Sequence, residues 1–176
     1  MKDMFDLTGK KAVAFGGNST LGSAMAKVFA AYGAEVAIVG RNIETATQVA
    51  EEIVQDGGKA KAFQADVSVL SDITRVADEI KEWTGGWDIL LNAPGKNSAT
   101  PFFDLTPEEW DDIMSVNLKG VVFTIQTFAK AMIEQKRKGS IINISSVSSG
   151  PPLSRVFTYS VSKAGVNSVT QFLARE

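Results

Sequence analysis

Residues 12–22, A-V-A-F-G-G-N-S-T-L-G, decide the fold of this chain. The first four form a short apolar run typical of a buried strand, and a helical pattern occupies residues 21–32. A glycine-rich loop between a strand and a helix leaves backbone N–H groups free at the positive end of the helix dipole, which suits a pyrophosphate. The alternative is a glycine-rich turn that only joins the two elements.

Outward from this stretch, short apolar runs alternate with helix-length amphipathic segments. We predict further strands at residues 36–39, 60–65, 88–92 and 140–145, and helices at residues 42–55, 71–83, 107–138 and from Phe157 onward. Five strands with helical crossovers predict an α/β fold, a Rossmann-type doubly wound parallel sheet in the strand order 3-2-1-4-5. Ligands of such sheets bind beyond the carboxyl ends of the strands.

The helix predicted at residues 107–138 has distinct features at its start, middle and end. Thr106 is the expected N-cap, and a bend is expected near Asn117. Residues 136–138, K-R-K, are interpreted as the C-terminal cap because cations are favoured at that end of a helix.

The composition excludes several classes of function. The chain has 176 residues, a net charge of −2, and neither Cys nor His. Disulfides, thiolate chemistry and nearly all transition-metal sites are therefore excluded, and acid–base chemistry is left to Tyr, Lys or carboxylates. The charge balance does not indicate nucleic-acid binding, and the sequence contains neither a signal peptide nor a membrane-length apolar run. We expect a single cytoplasmic domain.

The strongest chemical signal is the spacing of Ser146, Tyr159 and Lys163. On a helix, Tyr159 and Lys163 share a face, so the ammonium is expected to lower the pKa of the phenol from its ordinary value of about 10. A phenol tuned in this way is a proton donor. The alternative is a Tyr and a Lys on a helix surface beside a serine-rich loop.

The end of the second predicted strand indicates the cofactor. Gly40, Arg41 and Asn42 follow the glycine-rich loop by about 20 residues, where the adenosine ribose of a nicotinamide dinucleotide would lie. Gly40 leaves space, and the Arg41 guanidinium suits a 2′-phosphate, so NADP is preferred and NAD is possible. An exposed Arg at a helix start is the alternative interpretation.

With these residues considered together, the chain closely resembles the short-chain dehydrogenase/reductase family over its whole length. The family loop T-G-x-x-x-G-x-G appears here from Phe15 to Gly22, with Phe15 and Thr20 replacing Thr and the middle Gly. The family's N-N-A-G appears as residues 92–95, N-A-P-G, and its D-V as residues 66–67. The position and the resemblance together assign cofactor binding to Gly16, Asn18, Ser19, Thr20, Leu21, Gly22, Arg41, Asn42, Asp66, Val67, Asn92, Ala93, Gly95, Tyr159 and Lys163.

The resemblance also implies individual roles. Asp66 would face the adenine amino group and Asn92 would support the adenosine side, although each could instead only order its loop. Ser146 would orient the substrate oxygen, Tyr159 would exchange its proton, and Lys163 would assist Tyr159 while holding the nicotinamide ribose. Asn117 would hold a water against Lys163, or bond backbone at a helix bend, or do both.

The resemblance implies hydride transfer between the nicotinamide and a small-molecule alcohol or ketone. Residues 152–159, the glycine-rich loop and residues 95–97 look most like members acting on sugar acids, such as fructuronate (mannonate) or gluconate oxidoreductases. Lys96 and Arg155 could meet a carboxylate, although solvated loop cations are the simpler interpretation. The helices at residues 107–138 and after Phe157 resemble the family's assembly surfaces, which implies a homotetramer or homodimer. Neither a nucleic acid nor a membrane is expected as a partner.

The family normally continues beyond the last helix seen here with two more strands and a substrate-covering loop. The chain is therefore expected to be truncated at its C-terminus, with the fifth strand at an exposed sheet edge. A second hypothesis is a dinucleotide-binding fragment or regulatory module without turnover. A third, a flavodoxin-like domain, predicts flavin at the same sheet edge.

Overall fold

The fold is built on one five-stranded parallel sheet. The computed structural model describes residues 4–151 and 153–176. The strands are β1 (Lys11–Phe15), β2 (Glu35–Gly40), β3 (Lys59–Gln64), β4 (Ile89–Asn92) and β5 (Ser140–Asn143). Their spatial order is β3-β2-β1-β4-β5, and all four neighbouring pairs are parallel. The predicted sheet and its strand order are confirmed.

Helices connect the strands and cover both faces of the sheet. They are α1 (Thr20–Ala31), α2 (Ile43–Gln55), α3 (Leu70–Thr84), α4 (Pro107–Met114), α5 (Gly120–Glu134) and α6 (Phe157–Leu173). Side chains of Ser19, Asn42 and Thr106 cap α1, α2 and α4 by accepting hydrogen bonds from free backbone N–H groups. No helix in residues 4–151 or 153–176 is long and apolar enough to cross a membrane.

The hydrophobic core has two halves because alternate residues of β1 point to opposite faces. Val13 and Phe15 belong to the half that contains Trp87 and Phe128. Trp87 is 2% exposed, its ring centroid lies 4.4 Å from that of Phe128, and its indole N–H donates to the Phe128 carbonyl. Ala12 and the other small residues of β1 face the second half, where α1 packs closely. The sheet is thereby fixed from both sides, and the positions of its loops are fixed with it.

The long helix predicted at residues 107–138 is interrupted and ends early. A π-helical turn, Ser115–Lys119, separates α4 from α5 at the position where a bend was expected near Asn117. The helix ends at Glu134, so the basic run lies beyond its last turn, and this run caps the helix through its backbone and not through its charges. Lys136 has a φ of 52°, and the Arg137 N–H donates to the Met132 carbonyl at 2.9 Å.

Strand β5 lies at the edge of the described sheet. Its pairing partner is β4, with Ile141 opposite Leu90 and Ile142 opposite Leu91. Ile141 and Ile142 are half-buried, whereas both partners on β4 are fully buried. The site residues that follow β5 are therefore anchored to the sheet through β4.

Candidate active site

The predicted site residues converge at the carboxyl edge of the sheet. A cleft of about 690 Å³ opens there between the loops after β1, β2, β3 and β4. Eight of the predicted cofactor-binding residues line it: Gly16, Asn18, Ser19, Arg41, Asn42, Val67, Ala93 and Gly95. Residues that the sequence did not single out for this cleft include Val39, Ile43, Gln64 and Val116. The remaining predicted residues do not form part of this lining.

The glycine-rich loop is compact because Gly16 turns against the loop that follows β4. Gly16 has a φ of 69°, and a Cβ placed on it would lie 2.7 Å from the Ala93 carbonyl oxygen. The Ser19 hydroxyl donates to the Gly16 carbonyl at 2.7 Å and accepts from the Gly22 N–H at 3.2 Å. Only glycine fits at position 16. Because it has no Cβ, the glycine-rich loop and the loop after β4 pack together as one narrow wall of the cleft.

The start of α1 presents polar backbone to solvent beside this wall. Thr20 and Leu21 are exposed in the first turn of the helix, and Leu21 is 62% exposed. Thr20 stands where the family pattern has Gly, and its side chain lies outside the lining of the cleft. The helix N-terminus thus remains open to an anion.

Arg41 lines the cleft after β2, and Asp66 lies next to it in the loop after β3. The guanidinium of Arg41 is 63% exposed, and its Nη1 lies 3.9 Å from Asp66 Oδ2. Asp66 Oδ1 accepts hydrogen bonds from the backbone N–H and the hydroxyl of Ser68, at 2.9 and 2.6 Å. Asp66 therefore orders its own loop, which was the alternative considered for it, and its other oxygen faces Arg41.

Asn92 ties the sheet together below the cleft. It is 1% exposed, and its Nδ2 donates to Asn143 Oδ1 at 2.9 Å, which joins β4 to β5. Asn143 in turn donates to the Thr170 hydroxyl on α6 at 3.0 Å. This chain of side chains fixes α6 relative to β4, and α6 carries two of the predicted catalytic residues.

Ser146 lies directly beyond β5. Its Oγ accepts from the Ser148 N–H at 3.2 Å and lies 3.0 Å from the Ser148 hydroxyl. The Ser146 carbonyl accepts from the Ser149 hydroxyl, which Asn167 of α6 holds through a 2.8 Å bond. The serine loop is thus attached to α6 by its own side chains.

Tyr159 and Lys163 occupy successive turns of α6. Lys163 Nζ lies 5.7 Å from the centroid of the Tyr159 ring. Lys163 is 3% exposed, and its ammonium donates to the carbonyls of Ile144 at 2.8 Å and Pro94 at 3.3 Å. Burial lowers the pKa of the Lys163 ammonium from its ordinary value of 10.5.

Asn117 is fully buried in the π-helical turn. Its Oδ1 accepts from the Lys96 N–H at 2.7 Å, and its Nδ2 donates to the Lys96 carbonyl at 2.8 Å and to the Ser162 hydroxyl at 3.0 Å. The side chain therefore bonds backbone, as one of the two interpretations predicted. Because Lys163 holds Pro94, both residues position the loop after β4.

The two cations predicted to flank the cleft differ in their surroundings. The Lys96 ammonium forms an ion pair with Asp112. Arg155 is exposed and has a φ of 61°. Pro152, part of the segment that resembles sugar-acid enzymes, lies outside the described residues.

Two polar residues of this region were missed by the sequence reasoning. Ser148, 3% exposed, supports Ser146, and Ser162, fully buried, donates to the Tyr159 carbonyl at 2.7 Å while accepting from Asn117. Their positions give a weak signal, since serine bonds locally in turns and at i−3 in helices. Nothing in the spacing indicates that Ser162 would meet Asn117, which lies 45 positions earlier.

The groups near Lys163 are of the types that proton transfer uses, and they lie at the same edge of the sheet as the cleft. The Lys163 ammonium lies 5.7 Å from the Tyr159 ring and bonds to Ile144 and Pro94 just beyond β5 and β4, and Ser145 Oγ donates to the Lys163 carbonyl at 3.1 Å. A buried cation stabilises negative charge that develops on a neighbouring oxygen. The glycine-rich loop after β1 lies at the same edge of the sheet.

Comparisons with known proteins give the family. The model described as short chain dehydrogenase matches residues 10–176, and the chain belongs to that family. An uncharacterised oxidoreductase of Staphylococcus aureus (strain MW2) is 34% identical over 170 residues, which cover 97% of this chain and 72% of the relative. The chain is accordingly an oxidoreductase of the short-chain dehydrogenase type.

Solved structures resemble the fold closely. A metagenomic short-chain oxidoreductase in complex with NADP superposes with a TM-score of 0.91 at 35% identity, over 96% of this chain and 76% of its own. A protein from Agrobacterium tumefaciens, provisionally named a gluconate dehydrogenase, has a TM-score of 0.94 at 30% identity, over 99% of this chain and 68% of its own. The Rossmann-type architecture is shared with both.

Proposed function

We propose that this site transfers a hydride between NADP and a secondary alcohol or ketone. The observation that carries the proposal is Lys163, buried beside Tyr159 and bonded to both Ile144 and Pro94, because this places a fixed positive charge at the end of the cleft. The residues present fit a dinucleotide, since the missing Cβ of Gly16 and the open start of α1 form a cradle for phosphate. NADPH, when bound, supplies the hydride.

Each of the other site side chains has a separate role in the proposed reaction. The Ser146 hydroxyl orients the substrate oxygen by a hydrogen bond, and the Tyr159 hydroxyl donates its proton to that oxygen during reduction. The Lys163 ammonium stabilises the negative charge left on the phenol oxygen. Asn117 and Lys163 keep the loop after β4 in place, which keeps these groups aligned.

The preference for NADP rests on Arg41. Arg41 lines the cleft and its side chain is largely exposed, while Gln64 Nε2 holds its backbone by donating to the Arg41 carbonyl at 3.0 Å. A planar guanidinium matches a 2′-phosphate, and the NADP complex of the metagenomic relative supports the same cofactor.

Replacing Arg41 with Ala is expected to weaken NADPH binding by roughly 10- to 100-fold, because one charge-assisted hydrogen bond to the 2′-phosphate is lost. NADH lacks this phosphate, so its binding should change by less than about 3-fold. Dissociation constants from fluorescence titration measure both. The exposed Arg175→Ala serves as the matched control for removal of one positive charge. Equal losses for the two cofactors would contradict the assignment.

We infer that a sugar acid is the substrate class to test first. The A. tumefaciens protein supports this choice through its name, and Arg155 remains an exposed cation after Ser146. Lys96 is a weaker candidate for the substrate carboxylate because Asp112 neutralises it.

The experiment is a panel of sugar acids and simple ketones assayed with both nicotinamides by cofactor absorbance. Consumption of cofactor that depends on an added substrate supports the proposed function. Tight NADPH binding without turnover on any substrate would indicate a binding module instead.

Assembly into a homodimer or homotetramer through α5 and α6 belongs to the same proposal. Ile133 on α5 is 75% exposed and Phe172 on α6 is 71% exposed, so both helices present apolar side chains that assembly would cover. A cytoplasmic location is also part of the proposal.

A further inference from the structure

The Asn18 side chain lies directly over Gly40, at the adenosine end of the cleft. A Cβ placed on Gly40 would lie 2.7 Å from Asn18 Cγ and 2.9 Å from its Nδ2, and closer still to its Oδ1. Gly40 is buried at the end of β2, and Asn18 is half-buried in the phosphate loop. The amide of Asn18 therefore already fills the space above Gly40, so the expectation that Gly40 leaves this space open is wrong.

Thr45 holds Asn18 in this place. Asn18 Nδ2 donates to the Thr45 hydroxyl at 2.7 Å, and that hydroxyl donates to the Asn42 carbonyl at 3.1 Å. The Asn42 side chain accepts from the Thr45 N–H at 3.1 Å, so Thr45 sits in the capped first turn of α2. An amide at the end of a flexible side chain can normally swing aside, but here the movement breaks its bond to Thr45.

We propose that Asn18 and Gly40 act as one cofactor-selecting unit, with Thr45 as its positioning residue. The proposal rests on the proposed use of NADP. An acidic residue that binds a ribose 2′-hydroxyl would stand at the end of β2. At position 40 its first side-chain atom would collide with the Asn18 amide, so an acid there requires that amide to move and to lose its bond to Thr45. The Asn18 amide therefore occupies the space that a side chain at position 40 would need, in the same cleft lining as Arg41.

The coupling can be measured first without any ligand. Gly40→Ala should lower the Tm by about 2 to 4 °C more in the wild-type background than in an Asn18→Ala background, because the shortened side chain at position 18 leaves room for the new Cβ. Thermal unfolding of the wild type, the two single variants and the double variant gives the coupling between positions 18 and 40. Any general effect of Ala in a strand is the same in both backgrounds and cancels. Equal Tm changes in the two backgrounds would overturn the proposed steric coupling.

Cofactor binding tests the selection itself. Gly40→Asp alone should lose NADPH affinity without gaining NADH affinity. Adding Asn18→Ala to it should improve NADH binding by roughly 5-fold, whereas Asn18→Ala in the Gly40 background should not improve it. Calorimetric titration with NADPH and NADH gives these constants. Tight NADH binding by Gly40→Asp alone would contradict the cofactor-selecting unit of Asn18 and Gly40. A wild type that binds neither nicotinamide would contradict the proposed function itself.

The role of Thr45 has a separate readout. Thr45→Val should raise the KM and dissociation constant for NADPH by roughly 5-fold, the effect of one hydrogen bond, and leave kcat unchanged. Thr45→Ser should restore both, because it keeps the hydroxyl. Thr47→Val, at an exposed position two residues along α2, controls for the lower helix propensity of Val. A matching loss in Thr45→Ser, or an equal loss in Thr47→Val, would contradict a positioning role for the hydroxyl.

Discussion

Tyr159→Phe is expected to lower NADPH-dependent ketone reduction by roughly 10²- to 10⁴-fold, the range for loss of a general acid. The variant keeps the aromatic ring, so its contact with Lys163, 5.7 Å from the ring centroid, is retained. The proton for the substrate oxygen is lost because Phe has no hydroxyl, and the chain contains neither His nor Cys as a substitute donor. NADPH affinity should change by less than about 3-fold, since at most one neutral hydrogen bond is removed.

The chain offers a matched control for this experiment. It contains two tyrosines, and the other, Tyr32, is 44% exposed at the end of α1 beside Phe5, with ring centroids 6.0 Å apart. Tyr32→Phe should retain full activity. Steady-state rates and NADPH titrations of both variants test whether Tyr159 is the proton donor. A Tyr159→Phe enzyme with normal turnover would contradict this role.

Lys163→Met is expected to have the second large effect, a loss of roughly 10²-fold or more in kcat/KM. Met keeps most of the buried side-chain volume but removes the positive charge near Tyr159 and the bonds to Ile144 and Pro94. Both the stabilisation of the phenol oxygen and the anchoring of the loop after β4 are then lost. NADPH affinity should fall as well, which distinguishes this variant from Tyr159→Phe. Loss of activity without weaker NADPH binding would contradict the role of Lys163 in anchoring the loop after β4.

The pH dependence of stability provides an independent check on Lys163. Its pKa is lowered in the folded state below the ordinary 10.5 by burial, so the unfolded chain binds this proton more tightly. Stability therefore rises with pH between the folded-state pKa and 10.5, and the destabilisation by the charged lysine is fully present below that window. Denaturant unfolding across this pH range should show wild type gaining stability relative to Lys163→Met. The exposed Lys130→Met should show no such difference from wild type.

The strand order could be predicted from sequence because each βα unit carries its own local signals. Apolar runs such as Ala12–Phe15 are short and separated by helix-length amphipathic stretches, and right-handed crossovers then leave few arrangements. The predicted end of α5 was wrong because Lys136 and its neighbours are good helix formers, while the actual stop is a left-handed backbone at a non-glycine residue.

The contacts within the site were less accessible to sequence reasoning. The spacing of Tyr159 and Lys163 follows from helix geometry and was confirmed as a shared face of α6. The bonds of Asn117 to Lys96, and of Asn18 to Thr45, join residues 21 and 27 positions apart. Such contacts depend on how loops of different strands meet, which no local pattern encodes.

Transfer of deuterium from NADPH to product tests the central claim most directly. NADPH labelled with deuterium at nicotinamide C4, in each of its two stereochemical forms, would be incubated with the protein and the panel of ketones and sugar acids. Mass spectrometry of the products should show one deuterium bound to the former carbonyl carbon, from one labelled form only, and Tyr159→Phe should form this product at a rate lower by roughly 10²-fold or more. A protein that binds NADPH yet places no deuterium on any product would contradict the proposed hydride transfer.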